Sequence, residues 1–171
     1  MSSTPSRIMF CFDDSPEAAH AIEEAGRVLR GGRATVVYAW QSAPDALARF
    51  GVAPTYLAPG ELERDRAYAR EVANRGAALA RRAGFDTDAK IVESAASSWA
   101  SILYAAEELD ADLLVLGARG LTGAKALLLG SVSHHVVNLT RRSTLVVPSP
   151  AVGTESERAT IPAISVRIEA A

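Results

Sequence analysis

Short apolar runs alternate with longer segments of helical spacing from the start of the chain to about position 148. Ile8-Met-Phe-Cys-Phe12 has no polar position, the pattern of a central parallel strand covered on both faces. Asp13-Asp14-Ser15-Pro16 ends it and supplies a helix cap with proline at the first helical position. Residues 17–30 place Ala18, Ala21, Ile22, Ala25 and Leu29 on one side of a helix that Gly31-Gly32 stops. Ala34 to Trp40 reads as a second strand. The stretch from Gln41 to Gly60, holding Pro44, Pro54 and Pro59, is too long for an ordinary connection and reads as a functional lid or a mobile loop.

Glu61 to Arg82 is a long amphipathic helix closed by Gly84. Thr87 to Val92 follows as an edge strand, since Asp88 and Lys90 alternate with Ala89 and Ile91. Ser97 or Ser98 caps a helix through Leu109, and Asp112 to Gly117 is a strand ending in glycine. A glycine-bearing loop leads into a helix from about Ser131 to Thr140. Thr144 to Val147 is a fifth strand closed by Pro148.

Strands separated in this way by helices imply one α/β domain over residues 1–148. Its core is an open five-stranded parallel sheet with helices on both faces and right-handed crossovers. Ligands of such sheets sit at the carboxyl ends of the strands where strand order reverses, which directs attention to Asp13 and to Gly117 onward. Residues 149–171 read as a tail. Within it Ile161 to Ile168 turns apolar and β-branched again, and Ile164-Ser-Val-Arg-Ile168 reads either as a strand or pad for a partner subunit or as a frayed terminus.

Charge and composition narrow the function classes. A formal net charge of −2 gives the molecule no pull toward nucleic acid or an anionic membrane. The clustered bases Arg64, Arg66, Arg70, Arg81 and Arg82 are interleaved with Glu61, Glu63, Asp65 and Glu71, a solvated helix face. The single cysteine, Cys11, excludes an intramolecular disulfide and reads as a small core residue. No apolar run is long enough to span a bilayer, and the first residues lack the apolar core of a signal peptide, so the expectation is the cytoplasm.

Candidate chemistry concentrates in Gly117-Ala-Arg-Gly120-Leu-Thr-Gly-Ala-Lys-Ala-Leu-Leu-Leu-Gly130-Ser131-Val-Ser133. Glycines at 117 and 120 let backbone amides approach a ligand with no Cβ between. Gly130 and Ser131 open a helix, whose unpaired amides and dipole favour phosphate. Ser131 and Ser133 add hydroxyl donors. The segment is not a P-loop, because Ala124 separates Gly123 from Lys125, and no compact G-x-G-x-x-G follows the first strand.

This spacing (Gly, two residues, Gly, nine residues, Gly-Ser, after the fourth strand) resembles the ATP-binding motif of the universal stress protein family. Phe12-Asp13-Asp14-Ser15 resembles that family's opening, and Ser143-Thr-Leu-Val-Val-Pro148 its closing strand. The resemblance covers roughly residues 7 to 148 and implies a Rossmann-like sheet of strand order 3-2-1-4-5. It implies that Asp13 sits near adenine or ribose, that Ala39 bonds adenine through its backbone, and that Leu116 contacts the nucleoside. Gly117, Arg119, Gly120, Gly130, Ser131 and Val132 would line the ribose and phosphates of ATP. A homodimer paired through Thr144–Val147 is implied as well. The match departs at Asp14, where the family usually has Gly or Phe; a second carboxylate there either weakens anion binding or helps hold Mg²⁺.

Three readings follow: an ATP-binding sensor or regulator of the stress response, a nucleotide-free interaction module of the same fold, and a slow Mg²⁺-dependent ATPase. The residues supply no nucleophile paired with a base, so no catalytic residue and no metal ligand are assigned. His134-His135 reads as surface or packed, since adjacent helical residues point apart. Trp40 reads as packing at the sheet end or against the loop that follows, with stacking on adenine the lesser reading. Arg141-Arg142 reads as capping the negative end of the preceding helix.

Overall fold

The computed structural model describes residues 7–42, 60–94, 97–120 and 129–149. The expectations placed on the connection beyond Ser42, on residues 121–128 and on the tail from Pro150 lie outside the described residues. Strands β1 (Arg7–Cys11), β2 (Gly32–Trp40), β3 (Phe85–Glu93), β4 (Leu113–Gly117) and β5 (Ser143–Val147) form one parallel sheet in the order β3-β2-β1-β4-β5. Helix α1 (Pro16–Leu29) follows β1, α2 (Glu61–Arg82) precedes β3, α3 (Ser98–Glu108) precedes β4 and α4 (Ser131–Leu139) precedes β5. Fold class and strand order are those the sequence implied.

Alternation along the strands builds two cores. Ile8, Phe10, Ala34, Val36 and Val115 face α1 and α2, while Met9, Val37, Leu114 and Leu116 face α3 and α4. Burial on both sides is why the inner strands read as unbroken apolar runs. The first layer is built on small residues: Ala18, Ala21 and Ala25 of α1, and Ala73, Gly76, Ala77 and Ala80 of α2, are all buried. A Cβ at Gly76 would stand 2.7 Å from the Phe12 ring and 2.9 Å from Val36 Cγ1, so only glycine lets α2 lie this close to the sheet.

β3 is an edge strand, as its charge alternation indicated, but it begins at Phe85 rather than Thr87. Gly84 turns the chain at φ +97, and Phe85 enters the core edge-to-face against Phe10, ring centroids 5.0 Å apart. At the other end of α1 the helix closes on Arg30 in the left-handed region (φ 56), followed by Gly31.

The amino ends of the strands are tied by ion pairs. The Arg142 guanidinium does not cap α4; it reaches the end of α3 and the turn before β4, donating to Glu107 Oε2 (2.7 Å), Asp110 Oδ1 (3.0 Å) and the Ala111 carbonyl (2.9 Å). Arg7 adds a 2.6 Å pair with Asp110. Hydrogen bonds from Arg142 hold the Glu107 carboxyl below its usual range, and those from Arg142, with the charge of Arg7, do the same for Asp110. A carboxylate depressed in the folded state stabilises fully above its unfolded pKa, and that contribution disappears as pH falls through the folded value. Arg142→Leu is therefore expected to lower Tm at neutral pH and to flatten its decline between about pH 5 and pH 3. Thermal melts across that range check this; an unchanged acid limb would refute the assignment.

Candidate functional site

Strand order reverses between β1 and β4, whose chains leave toward opposite faces of the sheet, α1 on one side and α4 on the other. A cavity of about 680 Å³ opens there, at the carboxyl ends of β1, β2 and β4 and the N-termini of α3 and α4. Two smaller hollows, of about 200 and 560 Å³, lie at the amino ends of the strands, away from the glycine segment. Every residue proposed for the site from sequence lines the larger cavity. Asp13 comes from the end of β1, Ala39 from β2, and Leu116 with Gly117 from β4. Arg119 and Gly120 belong to the loop, and Gly130, Ser131, Val132 and Ser133 to the start of α4.

The turn after β1 is built on two carboxylates with separate tasks. Asp13 Oδ1 accepts hydrogen bonds from the Ser15 amide (3.1 Å) and hydroxyl (2.5 Å), and Ser15 Oγ accepts from the Ala18 amide (3.1 Å), which caps α1. Asp13 Oδ2 faces Gly120, where a Cβ would run into it. Asp14 corrects the expectation placed on it. It sits at φ 66 and points away from the cavity into a bidentate pair with Arg75 of α2, at 3.1 and 2.6 Å. The positive φ accounts for a preference for glycine there; aspartate is among the few other residues that tolerate it. Paired with Arg75, this carboxylate neither faces an anion nor is presented to a metal. Among the described residues no group of three or more His, Cys, Asp or Glu could hold a metal ion.

The two ends of the glycine segment are bolted together by backbone bonds. Ala118 N–H donates to the Val147 carbonyl (2.7 Å), and Gly130 N–H donates to the Ala118 carbonyl (2.8 Å). A Cβ at Gly117 would lie 3.0 Å from the carbonyl oxygens of Glu17 and Arg119, so the close approach of α1 needs glycine. Gly130 has an ordinary φ of −58, and a built Cβ would stand 3.4 Å from Arg119 Cα, an ordinary contact. No side chain caps α4. Ser97 occupies the cap position of α3 but its side chain makes no cap bond either. The helix starts that open on the cavity thus keep first-turn amides without side-chain acceptors, whereas α1 is capped.

Ser133 departs from its expected role. Its hydroxyl is buried and donates to the Gly117 carbonyl at 2.8 Å, so it closes the loop rather than offering that hydrogen to a ligand. Cys11 stands in the cavity wall rather than wholly in the core. Burial, with a smaller contribution from the charge of Asp13, pushes its thiol up to about 12.

Among the lining residues that the sequence reading left out of the site are two stacked rings. Trp99, in the first turn of α3, stacks on His135 of α4 with ring centroids 5.1 Å apart and planes 11° from parallel. His134 is exposed beside it. His135 follows Ser131 by four residues and so shares its helix face, the signal that identifies it. Nothing in the local pattern singles out Trp99, because α3 and α4 meet only in three dimensions.

The family model of the universal stress protein family matches residues 5–148. The solved structure of the hypothetical protein MJ0577 is 21% identical, covers 85% of this chain and 96% of its own, and superposes with a TM-score of 0.65. The universal stress protein from Archaeoglobus fulgidus in complex with dAMP is 19% identical over 85% of this chain and 99% of its own, TM-score 0.58. A universal stress protein family member from Arabidopsis thaliana with AMP bound is 16% identical over 90% and 98%, TM-score 0.56. No curated protein sequence matches the chain.

A thiol held protonated reacts slowly even where reagent can enter. Cys11 in the folded protein is expected to resist iodoacetamide at about pH 8 and to be modified quickly in denaturant. Mass spectrometry of timed samples reads this, and rapid labelling of the folded chain would contradict the raised pKa.

Proposed function

Because the chain belongs to the universal stress protein family, we propose that it binds an adenine nucleotide in the cavity where strand order reverses. ATP, alone or with Mg²⁺, is the nucleotide of this reading, and the protein acts as a nucleotide-dependent sensor or regulator in the stress response. The observation that carries the reading is the cavity itself. It gathers a glycine loop in which a Cβ at Gly117 or Gly120 would crowd its neighbours and two helix starts without side-chain caps, the arrangement that receives phosphate. The relatives from Arabidopsis thaliana and Archaeoglobus fulgidus hold AMP and dAMP, which supports adenine as the base.

In this reading the Ala39 backbone and Leu116 receive the nucleoside, Asp13 lies by the ribose or adenine, and Gly130, Ser131 and Val132 receive phosphate with Arg119. A metal-dependent ATPase is the less favoured alternative, because Asp14, the second carboxylate it would recruit, is paired with Arg75. Among the described residues β5 pairs only with β4, and its outer edge is the surface through which a homodimer would form.

Denaturing freshly purified protein is expected to release ATP or another adenine nucleotide, identified by mass. Titration calorimetry with ATP, with and without Mg²⁺, is expected to give saturable heat. Gly130→Asp, which puts bulk and negative charge at the start of α4, is expected to weaken ATP binding by at least about 100-fold, of the order lost when a buried charge is left opposed. Wild-type affinity in that variant would sink the site assignment. Light scattering is expected to give twice the chain mass; a monomer would remove the β5 interface.

A further inference from the structure

The Trp99–His135 pair belongs to no part of the reading above. The rings come from different helices, both of which begin at the cavity, and both line it. His135 Nδ1 lies 2.6 Å from the Ser131 carbonyl oxygen. A carbonyl can only accept, so Nδ1 carries a hydrogen whether the ring is neutral or charged. Any change of protonation then occurs at Nε2. Neutral, Nε2 offers a lone pair that repels phosphate oxygens; protonated, it offers an N–H donor and a positive charge.

Charge balance favours the protonated form once a polyphosphate is present. Among the described side chains lining the cavity, the permanent charges are Arg119 and Asp13, which cancel. Of the other titratable groups, His134 lies on the same helix, ring centroids 5.7 Å away and edge-on, and Cys11 and Tyr38 line the same cavity from the strands; α3 presents the non-titrating Trp99. A multiply anionic ligand therefore enters a cavity whose described side chains carry no net positive charge until His135 gains one. The indole face is a favourable neighbour for an imidazolium and holds the ring in place.

The geometry points to His135, stacked on Trp99, as a phosphate-side binding residue that takes up a proton when the nucleotide binds. This inference rests on the nucleotide reading above and adds to it that affinity follows the charge of one histidine.

Calorimetric titration of the full chain with ATP at about pH 6 and pH 8 tests it, alongside His135→Gln, His134→Gln and Trp99→Leu, with adenosine as a phosphate-free probe. Wild-type affinity for ATP is expected to rise on acidification by about tenfold more than that of His135→Gln. The phosphate titration of ATP itself is common to both proteins and cancels in the comparison. His134→Gln is expected to behave as wild type, Trp99→Leu to lose part of the pH response, and adenosine to show none of it. A second measurement needs no variant: heats for wild type in two buffers of different ionisation enthalpy are expected to show net proton uptake beyond that of the ligand. Equal pH profiles for wild type and His135→Gln, the same profile with adenosine, or no excess proton uptake would each overturn the inference while leaving the nucleotide reading intact. Absence of ATP binding at both pH values would remove the nucleotide reading, and this inference with it.

Discussion

The hydrogen bonds that close the chain at the end of β4 are the constraint on which the site depends. Ala118 is held by its amide to Val147 and by its carbonyl to Gly130, so the end of the edge strand, the exit of β4 and the start of α4 are one rigid joint. Ser133 adds a third fastening through the Gly117 carbonyl. These bonds fix the start of α4 against the sheet, and with it the direction of its first-turn amides. A site intended to receive charge benefits from such rigidity, since preorganised dipoles need no rearrangement when the ligand arrives.

Stability and site chemistry are divided between the helices. α1 begins with a satisfied cap, Ser15 backed by Asp13, and packs through alanines onto the sheet. α3 and α4 begin without side-chain caps, a state that ordinarily costs on the order of 1 kcal/mol per helix. Both of these starts face the cavity; α2 also begins without a side-chain cap, at Gly60, and does not line it. The ion pairs of Arg142 and Arg7 stand at the opposite end of the strands, where they hold the α3–β4 and α4–β5 turns together without entering the cavity.

The fold was legible because its signals are local. Unbroken apolar strands, alanine at helical spacing and glycine at turns mark the elements to within a few residues, and the charged alternation of Asp88 and Lys90 marks β3 as an edge. The residues chosen from the glycine spacing and the family resemblance converge on one cavity. What the sequence could not show is which polar group turns inward. Ser133 and Ser131 are alike in sequence and separate only when Gly117 comes within reach of one of them. Asp13 and Asp14 are adjacent identical residues, and the positive φ of the second sends its carboxylate to a helix more than sixty positions on. Trp99 and His135 meet across a helix pair that no local pattern encodes.

The Asp14–Arg75 pair shows how an unusual residue can be absorbed by its surroundings. A left-handed turn is needed between β1 and α1, and glycine would satisfy it with no further consequence. Aspartate satisfies the same backbone, and its carboxylate then ties the turn to α2 through both guanidinium edges. Its neighbour Asp13 is held by Ser15 on one oxygen and packed against Gly120 on the other. The turn is therefore anchored to α1, to α2 and to the glycine loop at once. Displacing Asp13 requires breaking the cap of α1 or shifting Gly120. Moving the turn as a whole requires parting Asp14 from Arg75. The carboxylate that borders the cavity is thus a fixed part of its wall.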